Sequence, residues 1–300
     1  MGDQLFPHLS KAAIKLVDLP DEQRMLAIKE GAWIPYPRAR QILEQMEELF
    51  NHPRIVRMPN MLIVGPSNNG KTQILRHFEK NHQPDPNPEG DYSIIPVLFV
   101  EAPGKPDIGA FYDKILEAVW QPYSIRAKDS DKEREVKKVL RSIHLKILMV
   151  DEIQHIIAGG QAKQREFRNS LKGLGNELQI SVICAGVEEA FNAFNTDTQL
   201  SNRFEPEFLP KWNLNDEYGD LLESFERRIP LRTPSNLRGN VEIAQKVLWM
   251  SEGILGEIHE VLKRSAIQAI KNKSEQITLD IIQKIRWTMP SRRKVALPPA

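Results

Sequence analysis

The feature that most constrains the fold of this chain is a glycine-rich loop that follows a short apolar run. Residues 61–72 read MLIVGPSNNGKT, in which the apolar run suits a buried strand and Gly65 and Gly70 bracket the loop. A helical pattern of apolar residues follows. The spacing fits G-x-x-x-x-G-K-[ST], in which glycines let successive backbone N–H groups converge on an anion. An ordinary glycine turn before a helix is the alternative, but the pattern favours a phosphate-binding loop between a strand and a helix.

Each position of this loop has an expected contact with ATP and Mg²⁺. Lys71 would reach the β- and γ-phosphates, and the hydroxyl of Thr72 would hold Mg²⁺. The start of the following helix adds free N–H groups and a positive dipole end. The expected nucleotide-binding residues of the loop are Gly65, Pro66, Ser67, Asn68, Asn69, Gly70, Lys71, Thr72 and Gln73.

A second motif, Asp151-Glu152, directly follows the apolar run LKILMV. At the carboxyl end of a parallel strand, two carboxylates would lie where ligands bind in open α/β folds. Asp151 would hold Mg²⁺, and Glu152 would orient or deprotonate an attacking water. A strand ending in Asp-Glu is weak evidence alone, and it becomes strong evidence after a phosphate loop.

Composition limits where the protein acts and which partners it has. The formal net charge is +1, so a nucleic-acid surface would have to be a local patch. The single cysteine, Cys184, lies in an apolar run and suits a core position in a reducing compartment. The N-terminus lacks the apolar core of a signal peptide, and no apolar stretch is long enough for a membrane span. We therefore expect a cytoplasmic protein without a membrane partner.

Strand and helix patterns alternate along the first two thirds of the chain, which indicates βαβ units and a parallel sheet. The predicted strands lie near residues 61–64, 93–100, 145–150, 179–185 and 204–209. Beyond them the pattern is helical. We expect an N-terminal arm at 1–30, an α/β nucleotide-binding domain at 31–212, a helical domain at 213–289 and a basic flexible tail at 290–300.

The segment Trp33–Pro37 places aromatic and aliphatic residues just before the first core strand. Its prolines exclude a central strand or a helix interior. Ile34 and Tyr36 could form one wall of a purine pocket, or they could simply pack in the core. Both interpretations stay open from the sequence.

A phosphate loop, a strand ending in Asp-Glu and a helical domain after the sheet resemble the AAA+ class of ATPases. The resemblance implies a five-stranded parallel sheet with a C-terminal helical lid. It also implies that a neighbouring subunit supplies an arginine to the phosphoryl group, and Arg203 is the best candidate. The alternative for Arg203 is a local salt bridge with Glu205 or Glu207.

The resemblance narrows to the TniB family of transposition ATPases, which are related to TnsC and MuB. It spans most of the chain, and its clearest markers are Trp33–Ala39, Met58–Pro66, Asn202–Pro206 and Pro230–Arg232. The resemblance implies a homo-oligomer, ring or helical filament, that assembles on double-stranded DNA with ATP. It would mark the target, recruit or activate a DDE transposase of the TniA or TnsB type, and in related systems meet a TniQ-like protein.

Two positions depart from the general AAA+ pattern. After the fourth strand, where a polar residue commonly senses the γ-phosphate, the chain has Gly186-Val187. Glu257 stands where many relatives place a phosphate-sensing arginine, and we expect its carboxylate to point away from the phosphate. Together these departures predict slow hydrolysis, with ATP acting as a switch for assembly.

The DNA contacts are the least specific of these predictions. By position, Lys105 lies in a loop that resembles the pore-facing loop of TnsC-like rings. Arg126 and Lys128 come second, and Lys163 with Arg165 third. An ordinary solvated surface is an equal alternative for each. Contacts of this kind would go to DNA phosphates and carry no sequence specificity.

Two other functions fit the same nucleotide site. One is a helicase-loader or clamp-loader-like ATPase in replication, and the other is a nucleotide-binding signalling module with no DNA partner. The family-like stretches favour transposition over both. An ATP-dependent, salt-sensitive DNA shift would separate the DNA-binding functions from the signalling function.

Overall fold

The computed structural model describes residues 6–31, 33–157, 160–195 and 202–294. It divides into two compact units. The sheet unit comprises Arg38–Ser67 and Lys71–Leu209, and the helical unit comprises Met1–Pro37, Asn68–Gly70 and Pro210–Ala300.

In the described residues, three helices precede the first strand, one or two helices separate each strand from the next, and only helices follow the fifth strand. The strands are β1 Asn60–Val64, β2 Val97–Glu101, β3 Ile147–Asp151, β4 Ser181–Gly186 and β5 Phe204–Phe208. The helices are α1 Lys11–Val17, α2 Asp21–Glu30, α3 Pro37–Asn51, α4 Lys71–Asn81, α5 Ile108–Ala118, α6 Asp129–Ser142, α7 Gln154–Ile157, α8 Gln161–Leu178, α9 Glu188–Asn195, α10 Asp216–Glu226, α11 Val241–Ser251, α12 Leu255–Lys271 and α13 Leu279–Lys284, followed by a 3-10 helix at Pro290–Lys294.

The sheet unit is built on a five-stranded sheet in the order β2-β3-β4-β1-β5, and every neighbouring pair is parallel. This confirms the predicted fold class. The second strand is shorter than expected, since it begins at Val97 and not at Ser93. β1 is the fourth of the five strands, between β4 and the end strand β5, and its carboxyl end lies at the edge where ligands bind in such sheets.

The sheet is covered on both faces, as parallel sheets require. The last four residues of β1 are all at most 4% exposed, although alternate side chains point to opposite faces. On one face, Phe111 of α5, Val136 of α6 and Phe167 of α8 pack in one apolar cluster with Leu62 and Leu148. This double-sided burial holds the strand ends, and the loops that follow them, in fixed positions.

The helical unit joins the N-terminal helices α1 and α2 to the C-terminal helices α10–α13. Of the segment expected as a polar arm, residues 1–30, the structure describes 6–30, and this part carries Arg24, whose side chain is fully buried. The guanidinium of Arg24 donates to the carboxylate of Glu275 and, at 2.7 and 3.2 Å, to the carbonyl of Pro230. A buried, paired arginine of this kind fixes α2 to the C-terminal part of the chain.

The segment predicted as a basic flexible tail, 290–300, is described as far as residue 294. Pro290–Lys294 forms the 3-10 helix, and Arg293 makes a bidentate ion pair with Glu257. The remainder of the predicted tail, 295–300, lies outside the described residues.

Candidate nucleotide-binding site

The phosphate loop connects β1 to α4, as the sequence predicts. The backbone of Gly70 lies in the left-handed region at φ +93°, which favours glycine. Gly65 is needed for a different reason, because an added Cβ would lie 2.8 Å from the carbonyl oxygen of Leu209. The two glycines therefore allow a tight turn at one end of the loop and a close backbone approach at the other.

Lys71 is folded back into its own loop. Its Nζ donates to the carbonyl oxygens of Gly65 at 2.8 Å and Pro66 at 2.9 Å, and the residue is only 5% exposed. Burial lowers the pKa of Lys71, and the charges of Glu152 and Asp151 oppose that shift. The loop thus holds a buried ammonium group beside its own backbone, where an anion would be attracted.

Thr72 and Asp151, both predicted as metal ligands, are in direct contact. The hydroxyl of Thr72 donates to Oδ2 of Asp151 at 2.6 Å, and the backbone N–H of Glu152 donates to Oδ1 at 2.9 Å. Burial raises the pKa of Asp151, and these two hydrogen bonds lower it in part. A hydroxyl beside a carboxylate fits Mg²⁺, which is usually held by one or two carboxylates together with phosphate and water oxygens. Among the described residues there is no cluster of three or more His, Cys, Asp or Glu side chains that could hold a metal alone.

Glu152 is positioned by a residue that the sequence analysis missed. The Glu152 backbone is left-handed at φ +54°, and the side-chain amide of Gln154 donates to its carboxylate. The amide oxygen of Gln154 accepts from the backbone N–H of Val187 at 3.4 Å. Gln154 therefore connects the acidic motif after β3 to the end of β4, where the sequence itself offers only Gly186 and Val187. The spacing Asp-Glu-x-Gln was the available signal.

The tip of the loop, Asn68–Gly70, belongs to the helical unit. Asn69 is 2% exposed, and its Oδ1 accepts from the N–H of Leu255 at 3.0 Å. The carbonyl of Asn68 accepts from the N–H of Gly256 at 2.9 Å. Both bonds satisfy free N–H groups at the start of α12, so the loop tip caps that helix.

Glu257, in the first turn of α12, also contacts the loop tip. Its Oε1 accepts from the side-chain amide of Asn68 at 3.1 Å, and both carboxylate oxygens accept from Arg293. The carboxylate thus lies beside the loop and is paired with a cation from the C-terminal 3-10 helix.

The two residues predicted for a purine pocket have different surroundings. Tyr36 is buried and lies edge-on to Trp212 with ring centroids 5.3 Å apart. A Cβ on Gly70 would lie 3.6 Å from its hydroxyl, so Tyr36 is next to the loop tip. Ile34 is half-buried and lines a cavity of about 260 Å³ together with Ile28, among other residues.

Arg203 lies just before β5, at the other end of the sheet from the loop. Its carbonyl accepts from the N–H of Asn60, the first residue of β1, at 3.1 Å. Since the loop follows the last residue of β1, the two sites are separated by the length of that strand, about 13 Å. Nη1 of Arg203 donates to Oδ1 of Asn176 at 2.9 Å, while Glu207 pairs with Arg38.

Arg203 also lines an open groove of about 510 Å³ with Arg57, His52 and Asn202. Two arginines, Arg57 and Arg203, and one acid, Glu205, thus line this groove at the amino ends of β1 and β5.

The predicted DNA-contacting residues are all on the surface of the sheet unit. Lys105 is exposed in the loop after β2, and Nζ of Lys163 donates to the carbonyl of Pro106 in the same loop at 3.1 Å. Arg126 and Lys128 are exposed between α5 and α6, and Arg165 is exposed on α8.

Trp120, 92% exposed, and Ile125, 79% exposed, lie in the same connection as Arg126 and Lys128. This connection presents both apolar and basic side chains to solvent.

None of the helices in the described ranges has the length and apolar character needed to cross a membrane.

Solved structures with a similar fold support the assignment of the architecture. The ORC2 protein of Aeropyrum pernix, solved as ADPNP-ADP complexes, matches with a TM-score of 0.62 and 16% identity over 86% of this chain and 70% of that one. Cdc6p of Pyrobaculum aerophilum matches with a TM-score of 0.56 and 16% identity, over 86% and 68%. The ORC1 protein of Aeropyrum pernix in complex with DNA matches with a TM-score of 0.53 and 14% identity, over 82% and 63%. The fold is that of the AAA+ P-loop ATPases.

A comparison with curated proteins gave no match. A family model described as "Bacterial TniB protein" matches residues 24–214, more than half of the chain and the whole of the motif-bearing region from the phosphate loop to Arg203. The chain therefore belongs to the TniB family.

Proposed function

We propose that this protein is an ATPase that assembles on double-stranded DNA and regulates DNA transposition. The observation that carries the proposal is the contact between Thr72 and Asp151, which joins the phosphate loop to the acidic strand end in a member of the TniB family. In this function, ATP-bound oligomers mark target DNA in the cytoplasm and recruit or activate a DDE transposase.

ATP would be held by Lys71 and by backbone N–H groups of residues 65–73, apart from Pro66, which has none. On binding, the ammonium group of Lys71 would exchange the carbonyls of Gly65 and Pro66 for phosphate oxygens, which are stronger acceptors because they are charged. Thr72 and Asp151 would hold Mg²⁺, which neutralises phosphate charge when it is bound. Tyr36, beside the loop tip, and Ile34 stay candidates for contact with the base.

Hydrolysis requires a water, a base and a cation at the γ-phosphate. Glu152 is the proposed base, which takes a proton from the attacking water as the γ-phosphate separates from ADP. Arg203 is too far along β1 to act on the loop of its own sheet unit, so we assign it to the site of an adjacent copy. Asn176 would keep its guanidinium oriented for that role.

The expected slow turnover also has a local explanation. Gln154 links the carboxylate of Glu152 to the end of β4 through two hydrogen bonds. Hydrolysis would then need this contact to open. ATP would act mainly as a switch for assembly, and a turnover of many ATP per second without DNA would contradict this part of the proposal.

Double-stranded DNA is the proposed polymeric ligand, and Lys105, Arg126 and Lys128 are the proposed contacts. Their exposure supports this assignment, and the structurally similar ORC1 protein was solved in complex with DNA. Lysine and arginine on phosphates would make binding strongly salt-dependent and largely independent of sequence. Replacing the three residues together by alanine should weaken binding and reduce the salt dependence.

The partners proposed from the family are a transposase of the TniA or TnsB type, a TniQ-like protein and further copies of this chain. The decisive experiment images the purified protein by electron microscopy with duplex DNA and ATP, a non-hydrolysable analogue or ADP. We expect rings or filaments with the first two nucleotides and none with ADP.

Two variants make that experiment specific to the site. Lys71→Ala should abolish assembly because it removes the phosphate contact, whereas Glu152→Gln should assemble and fail to hydrolyse ATP. A transposition assay with the cognate transposase then separates this function from a role in replication. Normal transposition with Lys71→Ala would refute the proposal.

A further inference from the structure

A buried carboxylate next to the phosphate loop creates an electrostatic problem for ATP binding. Glu257 is 7% exposed and accepts from the side chain of Asn68 at 3.1 Å. Asn68 is itself fixed against α12, because its carbonyl accepts from the N–H of Gly256 at 2.9 Å. A bare carboxylate at this position would repel a triphosphate, and the repulsion would be poorly screened because the group is shielded from water.

Arg293 compensates for that charge. Its Nη1 and Nη2 donate to the two carboxylate oxygens of Glu257 at 2.9 and 2.7 Å, which is the bidentate geometry of a strong arginine–carboxylate pair. The guanidinium is held from other sides as well. Nε donates to the carbonyl of Thr288 at 2.9 Å, and the cation lies 4.9 Å from the ring centroid of Trp287.

We propose that Arg293 is a positioning residue for the triphosphate, and that it acts by neutralising Glu257 beside the phosphate loop. The C-terminal 3-10 helix is then a functional part of the nucleotide site. This inference rests on the proposed function only in requiring that the loop binds ATP. It explains how the chain tolerates an acid at a position where a cation is expected.

A purely structural role makes different predictions. An acid in the first turn of a helix stabilises the helix through its dipole, and Arg293 could then serve only to anchor the last helical turn. Loss of that anchor would lower thermal stability and weaken the binding of every nucleotide equally. Loss of charge compensation would weaken the binding of ATP more than the binding of ADP, because ATP carries the additional negative charge.

The test measures the Kd values of the full chain for a Mg²⁺-bound non-hydrolysable ATP analogue and for Mg²⁺-ADP by calorimetry. Arg293→Gln should weaken the binding of the analogue by about tenfold and the binding of ADP by less. Arg293→Lys should have Kd values close to those of the unmodified protein, because lysine keeps the positive charge. Arg292→Gln, at the neighbouring exposed arginine, is the matched control and should have no effect.

The double variant Arg293→Gln/Glu257→Gln should recover the affinity for the analogue, since both charges are then removed. Glu257→Gln alone should bind the analogue more tightly than the unmodified protein, because Arg293 is left unpaired and positive. The inference would be overturned if Arg293→Gln weakened the binding of both nucleotides equally and the double variant did not recover the affinity for the analogue. If the unmodified protein bound neither nucleotide, the proposed function itself would fail.

Discussion

At the scale of single residues, Asp151, a proposed Mg²⁺ ligand, illustrates how a buried carboxylate can be kept at a cost in stability. Burial raises the pKa of its carboxyl group, so the folded protein binds this proton more tightly than the unfolded chain does. The stability that this difference contributes is complete below the ordinary pKa of 3.8 and is lost as the pH rises through the raised value. At neutral pH, therefore, the ionised carboxylate destabilises the nucleotide-free fold.

Asp151→Asn should consequently raise the melting temperature of the nucleotide-free protein at neutral pH while it removes Mg²⁺-dependent ATPase activity. The two proteins should have nearly the same melting temperature in acid, and the difference should grow as the pH rises. Thermal denaturation across the pH range measures this directly. A variant that is less stable than the unmodified protein at neutral pH would contradict the assignment.

Gln154 is the residue whose role was least visible in the sequence. Because its amide holds the carboxylate of Glu152, Gln154→Ala should change the rate of hydrolysis without changing the affinity for ATP. If the contact restrains Glu152 in a resting position, the variant should hydrolyse ATP several times faster in the absence of DNA. Steady-state ATPase assays with and without DNA provide the measurement.

Glu152→Gln is the reference for that experiment, and it should reduce the rate by about 10²–10⁴-fold, the usual contribution of a general base. A Gln154→Ala variant as slow as Glu152→Gln would show that Gln154 supports the active position of the carboxylate and does not restrain it.

At the scale of elements, the buried Arg24 explains why α2 belongs to the helical unit. Arg24→Met should lower the free energy of unfolding of that unit by about 3–5 kcal/mol, since it leaves part of a buried charge cluster uncompensated. The carboxylate of Glu275 would keep its contacts with Arg232, from Nη1 at 3.0 Å and from the backbone N–H at 3.2 Å. Urea denaturation followed by circular dichroism measures the change.

The matched control is Gln23→Met, at the preceding and exposed position of the same helix, which should be nearly neutral. A neutral Arg24→Met would mean that apolar packing alone holds α2 in place.

The elements that the sequence predicted well are those set by local patterns. The loop from Gly65 to Thr72 follows from residue spacing, and its meeting with Asp151 follows because parallel strands end at one edge of a sheet. The contacts that the sequence did not predict join residues that are far apart in the chain. Arg24 and Glu275 are 251 residues apart, and Arg293 and Glu257 are 36 apart on separate helical elements. Both pairs depend on how the helices pack, which periodicity does not specify.

At the scale of the whole molecule, the proposed role of Arg203 makes a prediction about mixtures. On the proposed function, Lys71→Ala should not bind ATP but still carries Arg203, whereas Arg203→Ala should bind ATP but lacks the arginine. Each variant alone should be inactive. A mixture should regain part of the ATPase activity, because an Arg203→Ala protomer beside a Lys71→Ala protomer has a complete site.

The measurement is the ATPase rate of an equimolar mixture on DNA, compared with each variant alone at the same total concentration. The double variant Lys71→Ala/Arg203→Ala is the control, and adding it to Arg203→Ala should restore nothing. Full activity of Arg203→Ala alone would remove the need for a neighbouring copy.

The separation of Arg203 from the phosphate loop along β1 has a consequence for polarity. Each protomer would accept an arginine at one end of its sheet and donate one at the other, so identical copies would stack head to tail. A linear stack of n protomers then has n − 1 complete sites, and the terminal protomer keeps its ATP unhydrolysed, whereas a closed ring has no such end. The direction in which copies add to DNA would thus decide which end of the assembly does not hydrolyse ATP. That end would stay bound to the DNA for longest.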